Sequence, residues 1–305
     1  MSRGAKQVLY IAPEVTKNVA PTPLAVQTLR HLNTDLGRQV MLEESDEIST
    51  LRLSQGSIAV GVDVAGTISA ELSYGTFDEL IAGAFGGNWA TDTLTTGDLE
   101  KTFTIVRGFT DVSEWAVMSG CHINEMNLSL NNRAKADISF SIMGMSYERK
   151  TTDPTGTKAA ATTTPFMSSL DVGDILVDGT SLIGKACVRS FSFNINNNAQ
   201  ADDCLGDGNL GPSTVNMLGQ DITGELVLAW SKDASDIVEK SVSRAPIALV
   251  LPLEDAKGNK YTFTIPMAEV DGQLPSGGKN DTLNATVTYA VVKQAVTLTR
   301  LTATP

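Results

Sequence analysis

A strand-then-helix pattern occurs twice in this chain, and the constant distance between its copies limits what the chain can fold into. The first copy runs Gly66-Thr67-Ile68-Ser69-Ala70-Glu71-Leu72-Ser73 and then Thr76-Phe77-Asp78-Glu79-Leu80-Ile81. The second runs Gly224-Glu225-Leu226-Val227-Leu228-Ala229-Trp230-Ser231 and then Ala234-Ser235-Asp236-Ile237-Val238. Gly66 and Gly224 are 158 residues apart, as are Asp78 and Asp236. Thr102-Phe103-Thr104-Ile105 returns as Thr262-Phe263-Thr264-Ile265 at a distance of 160, which extends the expected alignment. A solenoid repeat has a period of about 20 to 50 residues, so each copy here is domain-sized. A fused pair points to an ancestor that worked as neighbouring identical subunits, whose head-to-tail contacts close into rings or run on as filaments.

With 305 residues, 42% of them hydrophobic, the chain can bury a sizeable core in one large domain or two. Few aromatics and many Thr, Ser, Gly and Asn favour strands and turns. A formal net charge of −12 argues against a protein that grips nucleic acid, which needs clustered Lys and Arg. No apolar run approaches the roughly 20 residues that span a bilayer, so no membrane partner is expected. The start, Met1-Ser2-Arg3-Gly4-Ala5-Lys6, has no apolar stretch with a cleavage site, and synthesis in the cytoplasm is the expectation. Three cysteines, Cys121, Cys187 and Cys204, lack paired spacing and are expected to be buried or partly buried thiols.

Residues 1–37, with Pro13, Pro21 and Pro23, are expected to form an extended N-terminal arm. A first β unit is expected over 38–149. Within it, residues 58–72 alternate as a strand. Phe77, Leu80, Ile81 and Phe85 share a helical face that Gly86-Gly87 ends, with Ser73 or Thr76 as cap. A strand follows at 102–106. Met126, Leu128 and Leu130 alternate with Asn127, Ser129 and Asn131. After a tip at Asn132-Arg133-Ala134-Lys135, Ile138, Phe140 and Ile142 alternate with Asp137, Ser139 and Ser141. This is a long hairpin with one apolar and one polar face. Residues 150–168, with Pro154 and Pro165, are expected to be a linker or exposed loop. A second β unit over 169–305 opens on Phe191, Phe193 and Ile195 alternating with Ser190, Ser192 and Asn194. The fold class is therefore mainly β, a sandwich or barrel with one flanking helix per unit.

Catalytic groups are scarce. The chain has two imidazoles, His31 and His122, and the latter adjoins Cys121 on a strand, where neighbouring side chains point to opposite faces and cannot act as nucleophile and base. The acidic loop Asp202-Asp203-Cys204-Leu205-Gly206-Asp207-Gly208-Asn209 departs from a calcium loop, with Leu205 at a ligand position and no closing Glu, and is expected to be a solvated turn. Gly206, Gly208 and Gly211 lie outside any strand–helix phosphate cradle. Neither cofactor nor metal is expected. The polar strand faces read either as solvent-facing surface or, if copies meet edge to edge, as the inner wall of a barrel whose small neutral and acidic side chains repel phosphate.

In Ala12-Pro13-Glu14-Val15-Thr16, Leu29-Arg30, Asp46-Glu47-Ile48, the strand from Ala65 to Leu72, Phe77-Asp78-Glu79-Leu80 and Phe85-Gly86-Gly87-Asn88-Trp89, the chain resembles the tail tube proteins of long-tailed, siphovirus-like bacteriophages. It departs from their pattern at Lys17-Asn18-Val19, where a glycine is expected. The resemblance implies a non-enzymatic virion protein with a tail-tube-like β-sandwich, assembled in the host cytoplasm into stacked rings. It also implies a tape-measure protein in the lumen, tail terminator and tail tip proteins at the ends, and DNA only in transit. Rings of this family present six tube folds, so a chain with two would close a ring of three with pseudo-sixfold symmetry, the alternative being a ring of six. Candidate lumen-facing residues are then Asn127, Ser129, Asn131, Asp137, Ser139, Ser141, Ser190, Ser192 and Asn194. Candidates for contacts between rings are Pro13, Pro21, Pro23, Pro154 and Pro165. The competing reading is a surface carbohydrate-binding or adhesin β module. That reading calls for an aromatic platform, whereas Trp89, Trp115 and Trp230 are scattered.

Overall fold

The computed structural model describes residues 3–48, 50, 53–206, 208 and 210–303. Its main elements are β1 (Gln7–Pro13), β2 (Gly37–Glu44), β3 (Ser57–Glu71), α1 (Asp78–Phe85), β4 (Phe103–Phe109), β5 (Glu114–Asn131), β6 (Asp137–Gly144) and β7 (Ser146–Lys150) in the first half. The second half holds β8 (Val188–Asn196), β9 (Asp221–Ala229), α2 (Lys232–Ser243), β10 (Ile247–Glu254), β11 (Lys260–Gly272), β12 (Asn284–Val291) and β13 (Thr297–Leu301). The chain is mainly β, as its alternating residues require, and its strands stack as a sandwich in each half.

One antiparallel sheet crosses the whole molecule in the order β2–β3–β6–β5–β8–β9–β12–β11. In the first half a second layer runs β1–β4–β5–β7, using residues 115–121 of β5. In the second half the matching layer runs from Leu176–Val177 through β10 and β11 to β13, using residues 260–265 of β11. The long strands β5 and β11 thus belong to both layers of their halves. Gly120, at φ 63°, sits where β5 passes from one layer to the other, and a Cβ there would lie 2.8 Å from the Met145 side chain.

The pairings of the second half follow those of the first in order. In them β3, β4, β5, β6 and β7 take the places of β9, β10, β11, β12 and β13. Gly66 and Gly224 occupy matching places: a Cβ would meet the Leu36 backbone at 2.4 Å in one and the Ser192 carbonyl at 2.3 Å in the other. The second sequence match is corrected by this order. Phe103 begins β4 whereas Phe263 lies in β11, so Thr102–Ile105 and Thr262–Ile265 are not equivalent. Alternating Thr with large apolar residues is what any half-buried strand carries, and it aligns strands that occupy different places.

The lead segment differs from a free arm. β1 pairs along its whole length with β4, from Gln7 opposite Phe109 to Pro13 opposite Phe103, and Leu9 to Ala12 are buried. The apolar run Val8-Leu9-Tyr10-Ile11-Ala12 precedes the first proline, and Pro13 stands at the strand's end, where its missing N–H does least harm. Residues 150–168 are likewise laid on the body. Lys158–Ala159 runs parallel to Val26–Thr28, Met167 is fully buried, and the Arg30 guanidinium donates to the Thr164 carbonyl at 2.8 Å.

Phe77, Leu80, Ile81 and Phe85 are all buried, and α1 ends at Gly86 in the left-handed region, φ 63°. Neither Ser73 nor Thr76 caps the helix; their hydroxyls bond each other at 2.6 Å. In α2 the Ser231 hydroxyl accepts from the Ala234 N–H at 3.2 Å, an ordinary cap. A single large core runs through both halves. At its centre Phe85 of the first half meets Phe193 and Phe263 of the second, with ring centroids 5.0 to 6.4 Å apart. Phe193→Ala should cost about 3–5 kcal/mol of stability. Because the core is shared, urea unfolding of this variant followed by circular dichroism should remain one transition with a lower midpoint.

Candidate functional site

Alternation sends one set of side chains from the long sheet into the core and the other set outward, and the antiparallel register aligns the outward sets into rows. One row reads Glu71, Asp137, Ser129, Ser192, Glu225, Thr288, Asp271. The next reads Ser69, Ser139, Asn127, Asn194, Thr223, Ala290, Glu269, and a third Thr67, Ser141, Glu125, Asn196, Asp221. Asn131 and Ser190 pair beside them. The candidate residues Asn127, Ser129, Asn131, Asp137, Ser139, Ser141, Ser190, Ser192 and Asn194 therefore lie on one face of one sheet, all of them exposed or half-buried. Alternation set Thr67, Ser69 and Glu71 of β3 on its polar side without joining them to this face, and sequence reasoning missed the extension over β9, β12 and β11. The alternation of Thr223, Glu225, Thr286 and Thr288 carried that signal.

The face is acidic and built of short side chains. Among the described residues, Glu71 is the one acid of these rows with an ion-pair partner, Lys135 at 2.6 Å. Glu125 accepts from the Asn194 amide, and Asp221 from the Asn198 amide at 2.7 Å. A groove of about 540 Å³ runs along it, lined by Asn127, Ser192, Asn194, Glu225, Glu269 and Asp271. Its aromatic member, Tyr289, is buried and donates its hydroxyl to the Ser192 carbonyl at 2.8 Å, offering no stacking platform. The tryptophans are occupied elsewhere. Trp89 lies under Arg300 and donates to the Asp78 carbonyl, Trp115 stacks on Tyr10, and Trp230 packs against the core.

Pro13 and Pro23 are exposed, while Pro21, Pro154 and Pro165 are half-buried. The lead segment meets residues 150–168 beside Pro23: the Gly156 N–H donates to the Leu24 carbonyl and the Val26 N–H to the Thr157 carbonyl, both at 2.8 Å. Of the acidic loop, Asp207 and Asn209 lie outside the described residues. Among the described residues no group of His, Cys, Asp and Glu is placed to hold a metal ion.

Cys121 and His122 are both buried, whereas Cys187 and Cys204 are exposed, contrary to the burial expected of them. Burial raises the Cys121 thiol pKa far above its ordinary value, which keeps that thiol protonated. The His122 Nδ1–H donates to the Gly120 carbonyl at 2.9 Å, and among the described residues Nε2 has no hydrogen-bond partner. Burial lowers the pKa of His122, with Lys17 adding to the effect, and burial likewise lowers that of His31.

The family described as phage tail tube protein matches residues 4–291. The chain belongs to that family. No curated protein matches it. Membership makes the chain a structural component of a phage tail, in a family of tube proteins rather than enzymes, whose members associate in stacks. Its place is the virion tail.

The two lowered histidine pKa values carry a stability consequence. The unfolded chain takes up protons near pH 6.5 while the folded chain resists until a lower pH, so stability is complete above pH 6.5 and falls as the pH drops through that window. The melting temperature should therefore decline between pH 7 and pH 5, and His122→Gln should flatten that decline. Differential scanning calorimetry across the range measures both.

Proposed function

We propose that the chain self-assembles into rings that stack as the hollow tail tube, with the acidic sheet face lining a lumen through which DNA leaves the virion. The observation that carries this reading is the alignment of Ser, Asn, Thr, Asp and Glu in register across the long sheet, with a hydrophobic core behind it. A wall of this kind binds phosphate poorly: small neutral groups give no grip and carboxylates repel. During assembly the same wall encloses the tape-measure protein, and terminator and tip proteins close the ends. Assembly takes place in the host cytoplasm.

We further propose that the chain is a fused duplication of the tube unit, so that three chains close a ring with pseudo-sixfold symmetry. The recurrent pairing order and the matched glycines Gly66 and Gly224 support it. The domain division proposed on that basis is 38–149 and 169–305, with 150–168 between them and 1–37 as the lead segment. Pro13, Pro21, Pro23, Pro154 and Pro165 remain the proposed contact between stacked rings.

Negative-stain electron microscopy of the purified chain tests the reading. Hollow tubes or rings with threefold end views are expected. True sixfold end views would keep the tube and remove the trimer, and a chain monomeric across concentration and salt would overturn the assembly.

A further inference from the structure

Residues 33–39 of the first half and 190–196 of the second hold the same place. Asn33 lies opposite Ser69 and Gln39 opposite Asp63, as Ser190 lies opposite Val227 and Asn196 opposite Asp221, so partners correspond at a constant spacing in each half. The outer edges of these two segments differ in one respect. That of 190–196 is hydrogen-bonded to β5 of the first half, whereas among the described residues no strand pairs with the outer edge of 33–39, where side chains hold the place of a strand: the Arg107 guanidinium donates to the Leu36 carbonyl at 2.9 Å and the Leu36 N–H donates to the Thr34 hydroxyl at 3.2 Å.

The other end of the sheet has the complementary gap. Glu125 pairs with Ser141, which pairs with Thr67; Asp271 pairs with Thr288, which pairs with Glu225. Residues 271–277 therefore correspond to 125–131, the part of β5 that β8 covers. Leu128, opposite Phe193 in that joint, is fully buried, while its counterpart Leu274 is 69% exposed, and among the described residues no strand pairs with it on the side away from β12.

A second contact accompanies the internal joint. Residues 210–216 of the connection between β8 and β9 lie on the first half: the Val62 N–H donates to the Leu210 carbonyl at 2.6 Å, Lys17 donates to the Val215 carbonyl at 2.6 Å, and Gly211 sits against the Met145 carbonyl, in the turn between β6 and β7 whose counterpart is residues 292–295. Its counterpart 158 residues earlier is the hairpin formed by β2 and β3, of which residues 40–44 and 57–62 are the strands. That hairpin projects with apolar side chains uncovered, Leu42 at 62%, Ile58 at 69% and Val60 at 51% exposure.

We infer that the joint between neighbouring chains repeats the joint inside one chain. Residues 33–39 of one copy pair with residues 271–277 of the next, setting Leu36 beside Leu274 as Phe193 sits beside Leu128, and the β2–β3 hairpin lies over the turn at residues 292–295 of that second copy. The occupant of both open edges is thus another copy of this chain, and the contact is head-to-tail, as ring closure demands. Covering the hairpin's apolar side chains and the two strand edges supplies the driving force and removes an aggregation hazard. The inference rests on the ring reading above and specifies its interface.

The test uses two variants of the full chain, Ile58→Asp with Val60→Asp on the hairpin and Leu274→Asp on the opposite edge. All three positions are exposed, so circular dichroism and melting should match the unaltered chain. Each variant alone should stay at the monomer mass of 32.3 kDa in light scattering. An equimolar mixture should give a species of twice that mass, because each variant retains the surface that the other lacks. If the unaltered chain assembles and both variants assemble equally well, the interface is wrong while the tube function stands. Hairpin-variant rings that form but fail to stack would place the hairpin between rings and also overturn it. An unaltered chain that never associates removes both readings.

Discussion

The rest of the structure depends on the antiparallel ladder between residues 125–131 and 190–196. It joins strands that belong to different halves, so two sandwiches share one long sheet and one main core, with a smaller cluster around Tyr10 and Trp115 on the outer side of the first half. Register matters here because the side-chain period is two. Shifting the ladder by one residue would bring Asn127 and Ser129 inward and expose Leu128 and Leu130. The apolar side of the ladder meets Phe85 and Phe263, and a slip would separate those rings as well.

The ends of the joint are tied by side-chain hydrogen bonds between the halves. The buried Asn197 amide donates to the Ala84 carbonyl at 3.0 Å and the Ile123 carbonyl at 2.9 Å, and the Gln220 amide reaches the Ala84 carbonyl at 3.2 Å. The second half thus satisfies carbonyls that α1 leaves unpaired at its C-terminus. At the N-terminus of α1, Asp78 accepts from the Tyr261 hydroxyl and from Arg300, both from the second half, so each end of one helix is held by the other unit.

Strand position and face were legible in residue pattern alone. Alternation at 126–142 and 190–196 marked the polar side chains and the apolar ones that oppose them, and the spacing of Phe77, Leu80, Ile81 and Phe85 marked the helix face. The lead strand was obscured because three prolines directed attention away from the apolar run Val8–Ala12. The equivalence of Thr102–Ile105 with Thr262–Ile265 was mistaken because short strand motifs are generic. The hairpin of β2 and β3 gave no signal as a projecting element, since exposed and buried β-branched residues look alike in sequence.

The sequence by itself determined the period of each strand, the glycines that stop or crowd the backbone, the acidic balance and the family, because these depend on residue type and local spacing. Tertiary structure decided which strands meet, in which register, and which edges stay open. Those choices are made by side chains far apart in the chain, 65 positions for Leu128 and Phe193 and 178 for Phe85 and Phe263, competing to bury the same apolar surface, and no local pattern records the outcome. The alternating polar residues were visible as separate hairpins. Only the pairing of β5 with β8 makes them one surface.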